Sequence, residues 1–230
     1  MEPAMQIGIF GTGMVGRVLS AALVAKGHAV MLGTRDPRAT AVRREPDRYT
    51  GESFADWTAA HPTVRLGTYA DAAAFGGLVM NATSGHGSLP AVQAAGSALD
   101  GKILIDIANP LDFSKGMPPS LFVGITDSLG EQIQRAAPKA RVVKSLNTIA
   151  APLMANPRAL AAGDHTMFVA GDDESAKTTV TTFLRDELGW TDVIDIGGIE
   201  ASRATESLLL PWARLFGLFG SPMLAFKVVR

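Results

Sequence analysis

Short, unbroken apolar runs alternate along this chain with longer stretches whose apolar residues recur every three or four positions. MQIGIF (5–10) is the first run. It lacks polar alternation, as expected of a strand covered on both faces. MVGRVLSAALVAKG (14–27) follows with helical spacing and closes at Gly27, a favourable C-cap residue. HAVMLG (28–33) reads as the second strand. DPRATAVRREPDRY (36–49) and ESFADWTAAHP (52–62) read as surface helices or turns. TVRLG (63–67) is a short strand and YADAAAFG (69–76) a short helix. GLVMNA (77–82), KILIDIAN (102–109) and RVVKSLN (141–147) are further strands, separated by helices over 88–99 and 127–138. HTMFVAG (165–171) and TDVIDIG (191–197) flank a helix over 174–189. Gly116-Met117-Pro118-Pro119 marks a surface loop.

Strands alternating with helices indicate an α/β fold with a doubly wound, mostly parallel sheet. Right-handed crossovers are expected to put every strand's carboxyl end on one edge, where ligands bind. Residues 1–150 read as a dinucleotide-binding domain. Residues 151–230 read as a smaller C-terminal part, a sheet extension plus a helical tail of ~35 residues. The tail holds the most apolar segment, SLLLPWARLFGLFGSPMLAF (207–226). Pro211, Arg214 and Pro222 interrupt it, which argues against a membrane span. Its apolar residues fall on more than one helical face. That excess predicts a homodimer joined through residues 205–226.

Composition narrows the chemistry. The chain has 230 residues, 47% of them hydrophobic, enough for one large core. Charged residues are 19% and the net charge is −1, so no nucleic-acid or membrane partner is expected. There is no cysteine, which excludes disulfides, thiol catalysis and cysteine-based metal sites. The four histidines show no metal spacing, and no metal site is expected. The N-terminus runs straight into a strand without a basic leader, so a cytoplasmic location is expected.

Gly11-Thr12-Gly13-Met14-Val15-Gly16 has the spacing G-x-G-x-x-G between a strand and an amphipathic helix. That context makes it the fingerprint of a Rossmann dinucleotide site. Gly11 permits the tight turn, Gly13 admits a pyrophosphate to the backbone, and Gly16 lets helix and strand approach. The helix N-terminus adds unpaired N–H groups and partial positive charge. Thr34 and Arg35 stand at the end of the second strand, where NAD-selective sites carry an acid. A guanidinium can fork onto a 2′-phosphate and a hydroxyl can add a donor, so the pair favours NADP(H) over NAD(H). Arg35 could instead lie on the adenine face or in solvent. Arg38 is a secondary phosphate candidate. Asp36, before Pro37, reads as a turn or helix cap.

Three segments follow parallel strands and are expected to share one rim: NATSGHGS (81–88), ANP (108–110) and SLNTIA (145–150). Ser84, Gly85 and His86 fall beside the expected ribose and nicotinamide. Asn109 lies on the same rim. Asn147 and Thr148 are candidates to face the reacting ring, although asparagines at strand ends also form turns. His86 is the one candidate general acid, with contact to phosphate or solvent as its alternative. His28, His61 and His165 read as structural.

The chain resembles the NADPH-dependent coenzyme F420 reductase family over nearly its whole length. The resemblance is carried by IGIFGTGMVGRVLSAALVAKGHAVMLGTRD, VVKSLNTIAAPLMANP, VAGDDESAK and DIGGIEASRATESLLLPW. It implies a Rossmann domain that passes hydride between NADP(H) and the deazaflavin of coenzyme F420. It further implies that Thr12, Met14 and Val15 flank the pyrophosphate and that Thr34 and Arg35 hold the 2′-phosphate. Ser84 and His86 would lie by the cofactor, and Asn147, Thr148 and Ile149 by the deazaflavin. NATSGHGS departs from the bulkier apolar loop of archaeal relatives. Ring-to-ring hydride transfer needs alignment more than acid–base groups, and alignment can supply ~7–11 kcal/mol. The alternatives are an NADPH-dependent carbonyl or imine reductase with His86 as donor, and a non-catalytic NADP(H)-sensing protein.

Overall fold

The computed structural model describes residues 4–47 and 50–230. The first three residues and the last two of the 36–49 surface stretch lie outside the described residues. β1 (Gln6–Phe10) leads through α1 (Met14–Ala25) to β2 (Ala29–Thr34). Two short helices, α2 (Pro37–Ala41) and α3 (Phe54–Ala60), precede β3 (Arg65–Thr68). Then come α4 (Tyr69–Phe75), β4 (Leu78–Asn81), α5 (Gly85–Ala95) and β5 (Ile103–Asp106). A small ribbon of β6 (Leu111–Asp112) and β7 (Ser120–Leu121) intervenes before α6 (Leu129–Ala136) and β8 (Arg141–Ser145). The chain ends with α7 (Ala151–Ala155), β9 (Thr166–Ala170), α8 (Glu174–Asp186), β10 (Asp192–Asp195), α9 (Ser202–Ser207) and α10 (Leu209–Phe219).

Eight strands form one sheet in the order β10-β9-β8-β5-β4-β1-β2-β3. The chain winds outward from β1 to β3, then returns to β4 on the other side of β1. That reversal opens a crevice between the carboxyl ends of β1 and β4. Residues alternate between two packed faces. Ile7, Ile9, Leu32, Met80, Ile105 and Val143 join one core cluster. Phe10, Val79, Leu104 and Val142 join the other. Burial on both sides explains why the strands read as continuous apolar runs. Helix starts carry side-chain caps: Asp36, Ser53, Ser128 and Asp173 each accept a backbone N–H, and Thr68 with Asp71 forms a capping box.

Two expectations are corrected. β9 pairs antiparallel with β8, and β10 runs parallel to β9. Their carboxyl ends therefore point to the opposite edge, so the carboxyl ends do not all share one rim. The link from β8 to β9 holds only α7 and short 3-10 turns. It makes a return rather than a helical crossover. The tail is also helical only to Phe219, where Gly220 adopts a left-handed conformation with φ of 64°. Beyond it the chain folds back, and the Phe226 carbonyl accepts the Thr166 N–H at 2.9 Å.

The C-terminal segment is tied to the sheet by a buried ionic network. Lys144 on β8 is 1% exposed and sits between Asp106 on β5 and Glu206 on α9, each 2.8 Å away. Its third donor goes to the Ala108 carbonyl. Glu206 also accepts the Leu129 and Gly130 N–H groups at the start of α6, at 2.9 and 3.0 Å. All three ammonium protons are thus used, and the surplus negative charge faces a helix N-terminus. Burial alone would push the Lys144 ammonium toward neutrality; Asp106 and Glu206 outweigh it and hold its pKa above the ordinary lysine value.

Replacing Lys144 by Met leaves two carboxylates buried without a counter-ion, so Lys144→Met is expected to cost ~3–5 kcal/mol of unfolding free energy. A group with a raised folded pKa contributes fully below its unfolded value of about 10.4 and loses its contribution as pH rises through the folded value. Denaturant unfolding across pH 7–11 should therefore show an alkaline decline in the wild type that is smaller in the variant. Equal stability of the two proteins at pH 7 would refute the ionic role.

Candidate active site

The turn from β1 to α1 is set by local geometry at two of its glycines. Gly11 has φ of 106°, and its N–H donates to the Gly33 carbonyl at 2.9 Å, joining the ends of β1 and β2. A Cβ on Gly16 would stand 2.2 Å from the Gly11 carbonyl oxygen, so the helix packs on the turn only without a side chain there. Gly13 differs. Its φ of −80° and ψ of −172° suit any residue, and a Cβ there would meet nothing within 4 Å. Nothing in the protein requires glycine at 13. The space its missing side chain leaves opens above α1, whose first turn has no side-chain cap and no acidic residue. This is a cradle fitted to a pyrophosphate, which would take the free N–H groups of Met14 and Val15.

At the end of β2, Thr34 is buried and shares a 2.9 Å hydrogen bond with the Thr40 hydroxyl. Arg35 and Arg38 are exposed. Arg35 lies close enough to Tyr69 to act on its titration: burial lifts the phenol above its usual pKa and Arg35 draws it back. Asp36 caps α2 by accepting the Ala39 N–H at 3.0 Å, as its place before Pro37 implied. It does not stand at the strand end, where an acid would oppose a 2′-phosphate.

The three rim segments converge and are wired together. Asn81 donates to Asp106 at 2.8 Å and accepts the Thr83 hydroxyl at 2.7 Å. Asp106 in turn accepts the Ala108 N–H and the Lys144 ammonium. Asn109 donates to the Asn147 carbonyl at 2.8 Å, and Asn147 returns a bond to the Asn109 side chain at 2.9 Å. Leu146, buried with φ of 62°, makes the turn that brings Asn147 to Asn109. A leucine held there stores of order 1–3 kcal/mol of strain. Asn147 and Thr148 are 2% and 4% exposed. Their segment offers a ligand a backbone wall more than free side chains.

Ser84 and His86 lie differently from the loop expected for 81–88. α5 begins at Gly85, so His86 stands in its first turn and Ser84 is its N-cap residue. The exposed Ser84 hydroxyl makes no cap bond. His86 stacks on Phe122 with centroids 4.1 Å apart. Phe122 belongs to the unforeseen ribbon region, which shows apolar Phe113, Met117, Phe122 and Ile125 to solvent beside the rim. The other histidines are structural: His28 contacts Glu187 at 2.9 Å, His61 the Trp57 carbonyl at 2.8 Å, and His165 the Pro157 carbonyl at 2.9 Å.

Sequence reasoning missed Arg17 and Arg43. Both donate to the Thr12 carbonyl, at 3.2 and 3.3 Å. Both also stand over the Phe54 ring, at 5.8 and 5.2 Å. Arginines in an amphipathic helix and a charged loop carry no signal of this convergence.

These contrasts generate a paired test. Gly13→Val is expected to keep the wild-type unfolding midpoint and lose dinucleotide binding by calorimetry. Gly16→Val is expected to lose ~1–3 kcal/mol or more of stability through overpacking. A Gly13→Val protein that binds normally would refute the cradle.

The family model for the coenzyme F420-dependent NADP oxidoreductases matches residues 6–110. A crystal structure from Arthrobacter sp. FB24, provisionally described as an F420-dependent NADP-reductase, is 51% identical with a TM-score of 0.92. The match covers 99% of this chain and 100% of that one. Metalloreductase STEAP3 from Rattus norvegicus is 27% identical over 210 residues, 91% of this chain. The chain spans 37% of the length of that relative. An imine reductase from Aspergillus terreus shares the fold at 16% identity and a TM-score of 0.63, over 94% of this chain and 63% of that one. With its glycine cradle, its acid-free β2 end and a full-length relative at this identity, the chain belongs to the coenzyme F420-dependent NADP oxidoreductase family.

Proposed function

We propose that this protein transfers a hydride between NADP(H) and coenzyme F420 or another flavin-type acceptor. The observation that carries this reading is the chemistry of the rim. Its ionisable pair, Asp106 and Lys144, is fully engaged in holding the strand ends together. Its amides, Asn109 and Asn147, bond to each other. His86 is stacked on Phe122. Such a rim aligns flat rings and excludes water, and it supplies little proton transfer, as hydride exchange between two conjugated rings requires. The bound nicotinamide supplies or accepts the hydride. Gly13 and the α1 N-terminus would hold the pyrophosphate, and Thr34 with Arg35 and Arg38 the 2′-phosphate. Ser84, Asn109 and the 147–149 backbone would border the reacting rings.

NADPH oxidation measured with a deazaflavin, free flavin, a ferric chelate and a cyclic imine tests the acceptor. Turnover with the deazaflavin or flavin is expected to exceed the others. Exclusive imine turnover that depends on His86 would favour the carbonyl or imine reductase reading, and no turnover with any acceptor would favour a sensor. Arg35→Ala is expected to lower the NADPH/NADH affinity ratio by ~10-fold or more, since the charge-assisted fork is lost. An unchanged ratio would remove Arg35 from the 2′-phosphate site.

A homodimer through the tail belongs to the same proposal. Only Leu209 and Ala213 of α10 are buried, and Leu210, Leu218 and Phe219 are 39%, 74% and 63% exposed. That exposure supports a covering subunit. Light scattering is expected to give twice the 24.1 kDa chain mass. Phe219→Glu is expected to give a monomer; a wild-type monomer at all concentrations would exclude the interface.

A further inference from the structure

We propose that Arg43 is a specificity-determining ligand of the dinucleotide, acting with Arg35 on the adenosine 2′-phosphate. This rests on the dinucleotide reading above and concerns a residue that reading does not use. Arg43 and Arg17 converge on one carbonyl and one ring, yet they differ in what else they touch. Arg17 is 4% exposed and fully engaged: Nε on Thr12, Nη1 on the Glu52 carbonyl at 3.0 Å, and Nη2 on Asp47 at 3.5 Å. Arg43 uses one nitrogen, Nη2, for the Thr12 carbonyl at 3.3 Å and the Thr12 hydroxyl at 3.2 Å. Its Nε and Nη1 have no acceptor among the described residues, and it forms no ion pair with a described carboxylate. Two guanidinium groups therefore share Thr12 with counter-charge at only one of them. A half-buried cation whose Nε and Nη1 meet no acceptor among the described residues, placed against the Phe54 ring, is preorganised for an anion.

The position names which anion. Gly11 bonds to Gly33, so the turn that carries Thr12 abuts the end of β2. Arg43 follows α2, and α2 is pinned to that same strand end by the Thr40–Thr34 hydroxyl pair. Arg43 thus stands at the junction of the glycine turn and β2, on the adenosine side of the pyrophosphate cradle. Arg35 would approach a 2′-phosphate from the strand end, and Arg43 from the turn.

Calorimetric titration with NADPH, NADH, 2′,5′-ADP and 5′-AMP tests this in the wild type and two variants. Arg43→Ala is expected to weaken NADPH and 2′,5′-ADP by about tenfold or more, and NADH and 5′-AMP by less than about threefold. Arg43→Gln removes the charge and keeps an amide N–H on a shorter side chain. It is expected to give the same split at a wild-type melting temperature, which separates ligand loss from misfolding. Equal weakening of NADPH and NADH in Arg43→Gln, or no weakening, would overturn the assignment. A wild type that binds neither dinucleotide would overturn it together with the functional reading, and is recognised before any variant is compared.

Discussion

A lysine ammonium with all three protons donated inside the protein, between two carboxylates, is the constraint on which the site's geometry depends. Isolated, Lys144 would be intolerable in the core, because desolvating a full charge costs several kcal/mol. Asp106 and Glu206 make it tolerable only at short range, so β5, β8 and α9 must stay in register. Glu206 also closes the open N-terminus of α6. Asp106 reaches in the other direction through Asn81 to Thr83, and so to the start of α5. One buried charge thereby aligns two of the rim segments, and the Asn109–Asn147 exchange attaches the third. A stiff rim of this kind suits a reaction governed by ring alignment, where small misplacements are costly.

At the other side of the crevice the organising force is positive potential. The α1 N-terminus, Arg17, Arg43, Arg35 and Arg38 gather around the ends of β1 and β2, although the chain as a whole carries a net charge of −1. The local field is therefore built by placement, not by composition. Phe54 has a part in it, since one ring supports two guanidinium groups that would otherwise repel each other. The glycines divide the labour: Gly11 and Gly16 serve the protein's own turn, and Gly13, which the turn does not require, leaves open space at the start of α1.

Much of this was legible along the chain, and the exceptions have physical causes. Buried parallel strands leave continuous apolar runs, so β1, β2, β4, β5 and β8 stand out. The start of α5 did not, because Gly85-His86-Gly87 has low helix propensity and Pro90 follows; packing of the α5 face on the second core cluster overrides that preference. The β6–β7 ribbon spans two residues per strand, too short for any periodicity. Strand direction was equally silent: β9 has the same apolar run whether it runs with β8 or against it.

By itself, the sequence determined the element order, the G-x-G-x-x-G turn between β1 and α1, and the absence of an acid at the end of β2. Each depends on neighbours in the chain, where spacing and propensity act directly. Only the tertiary structure decided the partners of Lys144, the exchange between Asn109 and Asn147, the convergence of Arg17 and Arg43 on Thr12, and the reversal of β9. Apart from Arg17 and Thr12, which are five positions apart, those contacts join residues 31 to 62 positions apart, or turn on which way a return loop closes. Their energies exist only once desolvation and geometry are set by the packed sheet, so no local pattern carries them.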